Sequence, residues 1–363
     1  MTAMRFTGAL LALVTSILGG HSLALSAPGP PEARAPRPPR LVLAFYYPWY
    51  GSPTGPGGKP RGNSWVHWEG VDTDAKTIAS STNYPVLGAY DSHDPTIIAE
   101  HCRLAKKAGI DGFIVSWWGN GTFEDQAMRP VLDGCKAAGL EACIYYEQVP
   151  RKGTPESVAG EIVDLAKKFG SDPAYLTIDR EGVSRPVFFV YGRAIEQLTI
   201  DGWGKVRWIL AARSSDAGAP RPFTIGDNFS DQALKAFDGA HSYAPMGDWN
   251  AALKKGETLE HWTARAMPWW ADHPREKGKL STITVFPGYD DTKVRKPGMK
   301  VDRDDGTLWD KAIAADPDWI LITSFNEWHE GSEVEPSLEH AEKYMDITAE
   351  GASRFKSMNT PQK

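Results

Sequence analysis

Eight short apolar runs recur along the chain, at residues 41–47, 111–118, 140–147, 186–191, 207–213, 237–243, 281–289 and 318–325, the sixth weaker than the rest. A run that is apolar throughout fits a strand buried on both faces, which is the environment of a parallel sheet. The stretches between them carry helical punctuation. Asp94 and Pro95 supply a cap and a first-turn proline ahead of apolar residues at helical spacing, and Gly109 closes that stretch. A second stretch ends at Gly139 and a third covers residues 156–169. Eight strand–helix steps favour a closed barrel over an open doubly wound sheet. No phosphate-binding glycine turn follows the first run, which lowers the dinucleotide-binding alternative, and no internal repeat is visible. The expected fold is α/β, a single (β/α)8 TIM barrel over residues 41–359 with a long loop after strand 1.

The N-terminus reads as a secretory signal over residues 1–27: Arg5, an apolar stretch over 9–18, then small residues through Ala24 to Ala27. The apolar stretch is too short to span a bilayer, with a signal anchor as the alternative. Residues 28–40, PGPPEARAPRPPR, cannot build a core and are expected to form a proline-rich linker. No later stretch is long and apolar enough for a transmembrane helix, so a secreted or periplasmic protein is expected, with no integral membrane segment after cleavage. The net charge of -6 argues against a nucleic-acid partner. A monomer is expected. Cys102, Cys135 and Cys143 are odd in number and unclustered, which reads as buried thiols rather than a disulfide framework.

Polar and aromatic side chains collect just after the apolar core of each run: Tyr46, Tyr47 and Trp49; Trp117 and Trp118; Glu147; Tyr191; Tyr243; Tyr289; then Asn326, Glu327, His329 and Glu330. In a barrel these positions surround one mouth, where active sites sit. The long segment 48–93, which includes His67, falls on the same side, and loops of that length inside a compact domain are usually functional. Indole faces also stack on sugar rings, a use for some of the 14 tryptophans.

Glu327 and Glu330 lie three residues apart, a spacing that brings two carboxylates to one side of a helical turn. Two carboxyl groups flanking one bond are the minimal equipment for glycoside hydrolysis. Burial beside Trp328 would raise one of them, and Asn326 and His329 are placed to orient the pair. Competing readings are solvated surface charges, a sugar-binding barrel without turnover, and a metal site at His329, Glu330 and Glu333. The last lacks the two-histidine helical pattern of zinc proteases, so no metal and no cofactor are expected.

The segments AFYYPWYG (44–51), YPVLGAYDSHDP (84–95), GFIVSWWG (112–119) and ITSFNEWHEG (322–331) together resemble glycoside hydrolase family 99, the endo-α-1,2-mannosidases and endo-mannanases, in the same order along the chain. The resemblance implies a retaining enzyme in which Glu327 acts as base on the substrate's own 2-hydroxyl. That oxygen closes on the anomeric carbon to a 1,2-anhydro sugar. Glu330 is then the general acid, and afterwards the base that activates water. Glu147, Tyr191, Tyr243 and Tyr289 would line the sugar subsites. Ser116-Trp117-Trp118 resembles the bacterial members that act on mannans, where animal members carry SWY. The implied substrate is an oligosaccharide or polysaccharide containing α-mannose, with Trp118 against the sugar on the non-reducing side of the cleaved bond. A conventional two-carboxylate retaining glycosidase and a non-catalytic carbohydrate-binding barrel stand as the alternatives.

Overall fold

Eight parallel strands pair in chain order and close on themselves: β1 (Leu41–Tyr46), β2 (Gly112–Trp117), β3 (Glu141–Tyr146), β4 (Val183–Val190), β5 (Phe223–Gly226), β6 (Gly239–Ala240), β7 (Leu280–Val285) and β8 (Trp319–Ile322). Closure is visible in the register, where Leu41 of β1 lies opposite Trp319 of β8 and Ile144 of β3 lies opposite Phe188 of β4. The computed structural model describes residues 37–217 and 220–358. The expected signal segment 1–27, most of the linker 28–40, and residue 359 lie outside the described residues.

Among the described residues ten α-helices wrap the barrel: α1 (Pro95–Lys107), α2 (Phe123–Ala138), α3 (Pro155–Phe169), α4 (Gly192–Leu198), α5 (Ile200–Ala217), α6 (Asp231–Ala236), α7 (Pro245–Leu253), α8 (Leu259–Glu276), α9 (Thr307–Ala315) and α10 (Lys343–Ser357). The local signals act as expected. Asp94 accepts a hydrogen bond from the Thr96 amide at 2.8 Å ahead of α1, and Gly139 ends α2 in the left-handed region at φ 66°.

One expected strand is a helix. Residues 207–213 lie inside α5, and β5, missed by the apolar pattern, follows at Phe223–Gly226. The reason is visible in burial. Trp203, Val206 and Leu210 are buried at helical spacing while Trp208 is 74 % exposed, so the run is one face of a helix and not a strand. β6 is reduced to two residues. The number of barrel strands matched expectation although one was misplaced.

Side chains alternate strictly, and this decides what reaches the mouth. Phe45 points into the barrel, where it meets Tyr145, Phe189 and His241. Its neighbour Tyr46 points outward, stacks on Phe113 at 4.6 Å and bonds His101 of α1. At the opposite end Arg37 donates to Asp318 at 3.0 Å and to the Pro317 carbonyl at 2.8 Å, so the last residues of the expected linker lie against the start of β8.

Candidate active site

The loop after β8 builds the centre. Ser324 donates from its amide to the Ser332 carbonyl (2.7 Å) and Val334 returns a bond to Ser324 (3.0 Å), so residues 324–334 double back as a closed lobe. At its tip Trp328–Glu330 form one 3-10 turn. Glu327 caps this turn and Glu330 ends it, close enough for the charge of one to act on the other. Gly331 closes the turn at φ 56°; a Cβ there would meet Thr82 and the Asp290 backbone at 3.0–3.2 Å.

The two carboxylates have unequal surroundings. Glu330 accepts a hydrogen bond from the Tyr243 hydroxyl at 2.7 Å and one from Arg295 at 3.3 Å. Glu327 is 2 % exposed and accepts only the His329 amide, at 3.0 Å. Burial raises both above the ordinary carboxylate range, and the charge of Glu330 pushes Glu327 further up. Tyr243 and Arg295 oppose the rise at Glu330. Burial and the neighbouring charge thus favour the neutral form at Glu327, while Tyr243 and Arg295 support the ionised form at Glu330.

A third carboxyl faces them. Glu147, at the end of β3, is pushed up to about 8, chiefly by burial and in part by Glu330, against the opposing Ser116 and Arg193. Ser116 donates to it at 2.8 Å, and the Trp118 indole N–H donates to Ser116 at 2.9 Å. The Trp118 donor is thus committed to positioning Glu147, and Arg193 lies 4.8 Å over its ring.

An aromatic wall links these groups. Trp118 lies 6.3 Å from Trp49, Trp49 lies 4.6 Å from Tyr47, Tyr47 lies 6.2 Å from Tyr243, and Tyr243 lies 5.8 Å from Tyr191. His67 and His329 close the side from the long loop, 4.6 Å apart, with the His67 ring tilted against Trp49 at 4.1 Å. Burial lowers His329 to about 4, so it is neutral at ordinary pH, and its Nε2 has no protein partner. Tyr289 stands beside Arg295, which donates to its hydroxyl at 2.6 Å.

Three expected sugar contacts are corrected. Tyr46 and Trp117 sit on the outward side of their strands, with the Trp117 indole donating to Asp125 at 2.9 Å. Period-two alternation forbids them the mouth that Tyr47 and Ser116 face. Asn326 is a clamp: its amide accepts from the Tyr47 N–H at 2.7 Å and donates to the Tyr47 carbonyl at 3.1 Å, tying β8 to β1 with no polar group left for a ligand. Trp328, expected to desolvate the carboxylates, points the other way, its indole donating to Tyr90 (3.1 Å) and Glu335 (3.2 Å).

Arg295, Arg193, Ser116 and Asp227 belong to the site and were not foreseen. Asp227 is pushed up to about 7 by burial and accepts the Tyr243 amide at 3.3 Å. Arg295 lies among lysines in a polar loop, DDTKVRKPGMK, and nothing local marks it. Among the described residues no cluster of His, Cys, Asp and Glu has metal-binding geometry.

The model of the Glycosyl hydrolase family 99 matches residues 39–355. The chain belongs to glycosyl hydrolase family 99. It is a glycoside hydrolase. The chain is 28 % identical to a glycoprotein endo-alpha-1,2-mannosidase of Mus musculus over 331 residues, 82 % of this chain and 68 % of that one. It is 27 % identical to a glycoprotein endo-alpha-1,2-mannosidase-like protein of Homo sapiens, over 81 % of this chain and 68 % of that one. The solved structure of a family 99 endo-alpha-mannosidase from Bacteroides thetaiotaomicron superposes with a TM-score of 0.67 at 26 % identity, covering 87 % of this chain and 97 % of that one.

Proposed function

We propose that this family 99 hydrolase is a secreted or periplasmic endo-α-1,2-mannosidase acting on mannan or mannosylated glycans, with retention of configuration. The named activities of its relatives support the linkage. The observation that carries the chemistry is the pair Glu327 and Glu330 at the two ends of one turn, one with a guanidinium and a phenol beside it and the other without.

In the proposed reaction Glu327 takes the proton of the substrate 2-hydroxyl. The 2-oxygen forms a bond to the anomeric carbon as the glycosidic bond breaks, and Glu330 gives its proton to the leaving oxygen. The product is a 1,2-anhydro sugar. Water then attacks the anomeric carbon and yields its proton to Glu330, while Glu327 returns its proton to the 2-oxygen.

This cycle starts with the proton on Glu330, whereas burial in the free site raises Glu327 further than Glu330. A 2-hydroxyl donating to Glu327 favours its ionised form, and a glycosidic oxygen accepting from Glu330 favours its protonated form. Substrate binding accordingly shifts the proton preference within the pair toward Glu330.

The test is hydrolysis of a panel of α-mannosides with a free or a methylated 2-hydroxyl. Turnover only of the free form is expected. Equal turnover of the 2-O-methyl substrates, or a trapped glycosyl–carboxylate ester, would replace this mechanism with a conventional two-carboxylate one.

A further inference from the structure

Away from the mouth, α7 and α8 enclose a cavity of about 590 Å³ whose walls carry three indoles. Trp262 and Trp270 form its floor, 1 % and 6 % exposed, and Trp269 stands at its edge, 48 % exposed, with His273 stacked on its ring at 4.9 Å so that a single face remains for a ligand. The polar lining is balanced: Asp248 and Glu257 against Lys255 and Arg265, with Arg265 and Glu257 bridged at 3.2 Å. A net-neutral rim selects neither an anion nor a cation. It offers donors and acceptors beside an aromatic plane, the combination that holds the apolar face and hydroxyl edge of a sugar ring.

The cavity is also continuous with the active site along the chain. Tyr243, which bonds Glu330, is followed after five residues by Asp248 at the cavity wall. Five residues span at most about 17 Å fully extended. We infer that the α7–α8 groove is a second carbohydrate site, which holds a neutral oligosaccharide stretch of the same polymer whose cleaved segment occupies the mouth, with Trp269 as its stacking platform. The inference rests on the endo-acting reading only for the choice of mannan as probe.

The experiment is titration calorimetry of the full chain, carrying Glu330→Gln to stop turnover, against a long branched α-mannan and against an α-mannotetraose. Trp269→Ala is expected to weaken polymer binding roughly threefold to tenfold and to leave the tetrasaccharide unchanged. Trp269→Phe should restore most of the loss. An undiminished affinity for the polymer, or an equal loss on both ligands, would overturn the assignment. So would a concentration-dependent dimer, seen by sedimentation, that Trp269→Ala abolishes, since the face would then join two copies. Trp269-dependent binding of another neutral polysaccharide, such as a β-glucan or a xylan, with no binding of either mannan would support the groove while removing mannan as the substrate.

Discussion

At the N-terminal end of the barrel Asp238 is buried, yet it accepts hydrogen bonds from Arg207 at 2.6 Å and from Arg221 at 2.7 and 2.8 Å. Burial alone would raise its pKa, but the two guanidinium groups win and hold it at about 2. Asp316, bridged by Arg37 and Arg40, is likewise lowered against its burial. At the C-terminal end Glu147, Glu327 and Glu330 are raised by burial, and the nearby arginines, Arg193 and Arg295, only moderate the rise. Asp238 is a carboxylate almost as buried as Glu147 and Glu327; the arginine count and geometry differ. A carboxylate clasped by two arginines is fixed in one charge state and can only join strands. One left short of cations can exchange a proton near neutral pH, which hydrolysis requires.

The largest test of this contrast is removal of the exchangeable proton. Glu327→Gln and Glu330→Gln should each lower kcat on the order of 10²- to 10⁴-fold without changing the unfolding temperature much. An aryl mannoside with a good leaving group should recover part of the rate for Glu330→Gln and none for Glu327→Gln. Recovery in the opposite pattern would exchange the two roles.

The matching change at the other end should do the reverse. Asp238→Asn leaves Arg207 and Arg221 without their anion, and breaking such a buried cluster costs about 3 kcal/mol, the partial exposure of Arg207 keeping it from the top of the range. Denaturant unfolding should show that loss, while kcat/KM well below the unfolding temperature stays at the parent value. A drop in kcat/KM with stability intact would mean that the two ends are not separate.

Much of this contrast was legible in the sequence at the mouth and little at the base. Apolar runs located seven of eight strands, because burial on both faces leaves a continuous signature. They failed at residues 207–213, since a run that short reads alike as helix face or strand until helical burial separates Trp208 from Leu210. Glu327 and Glu330 were legible because they sit together in one turn. Tyr46 and Trp117 were misassigned because a strand end does not reveal which side its alternation presents. Arg295, Arg207 and Arg221 were invisible. Each meets its carboxylate across the fold, and the sequence around them looks like ordinary solvated charge.

A smaller effect concerns stability against pH. Glu147 has a folded pKa near 8 against an ordinary 4.5, so the native state keeps a proton that the unfolded chain releases across that window. Its contribution is present in full below pH 4.5 and is lost as pH rises through 8. Glu147→Gln cannot ionise and still accepts from Ser116. Melting curves of variant and parent should converge near pH 4.5, and the variant should gain progressively toward pH 9. A constant offset at all pH values would show that Glu147 ionises at an unshifted pKa.

The smallest and most pointed change is Tyr243→Phe. It deletes one phenol donor 2.7 Å from Glu330 and leaves the ring in the aromatic wall. With that donor gone, the burial that already raises Glu330 acts with less opposition, and the pKa of Glu330 moves up. Two consequences pull against each other. The acid limb of the kcat/KM profile, where the second proton enters the pair, should shift to higher pH. The preference for a proton on Glu327 should weaken at the same time, because Glu330 becomes the better base, and that eases the internal proton move required on binding. Near neutral pH the net change in kcat/KM should therefore be smaller than the loss of a charge-assisted hydrogen bond would give by itself, and the clear signature lies in the shape of the profile. A profile scaled down uniformly, with its acid limb unmoved, would mean that Tyr243 contacts the sugar and does not tune the carboxylate pair.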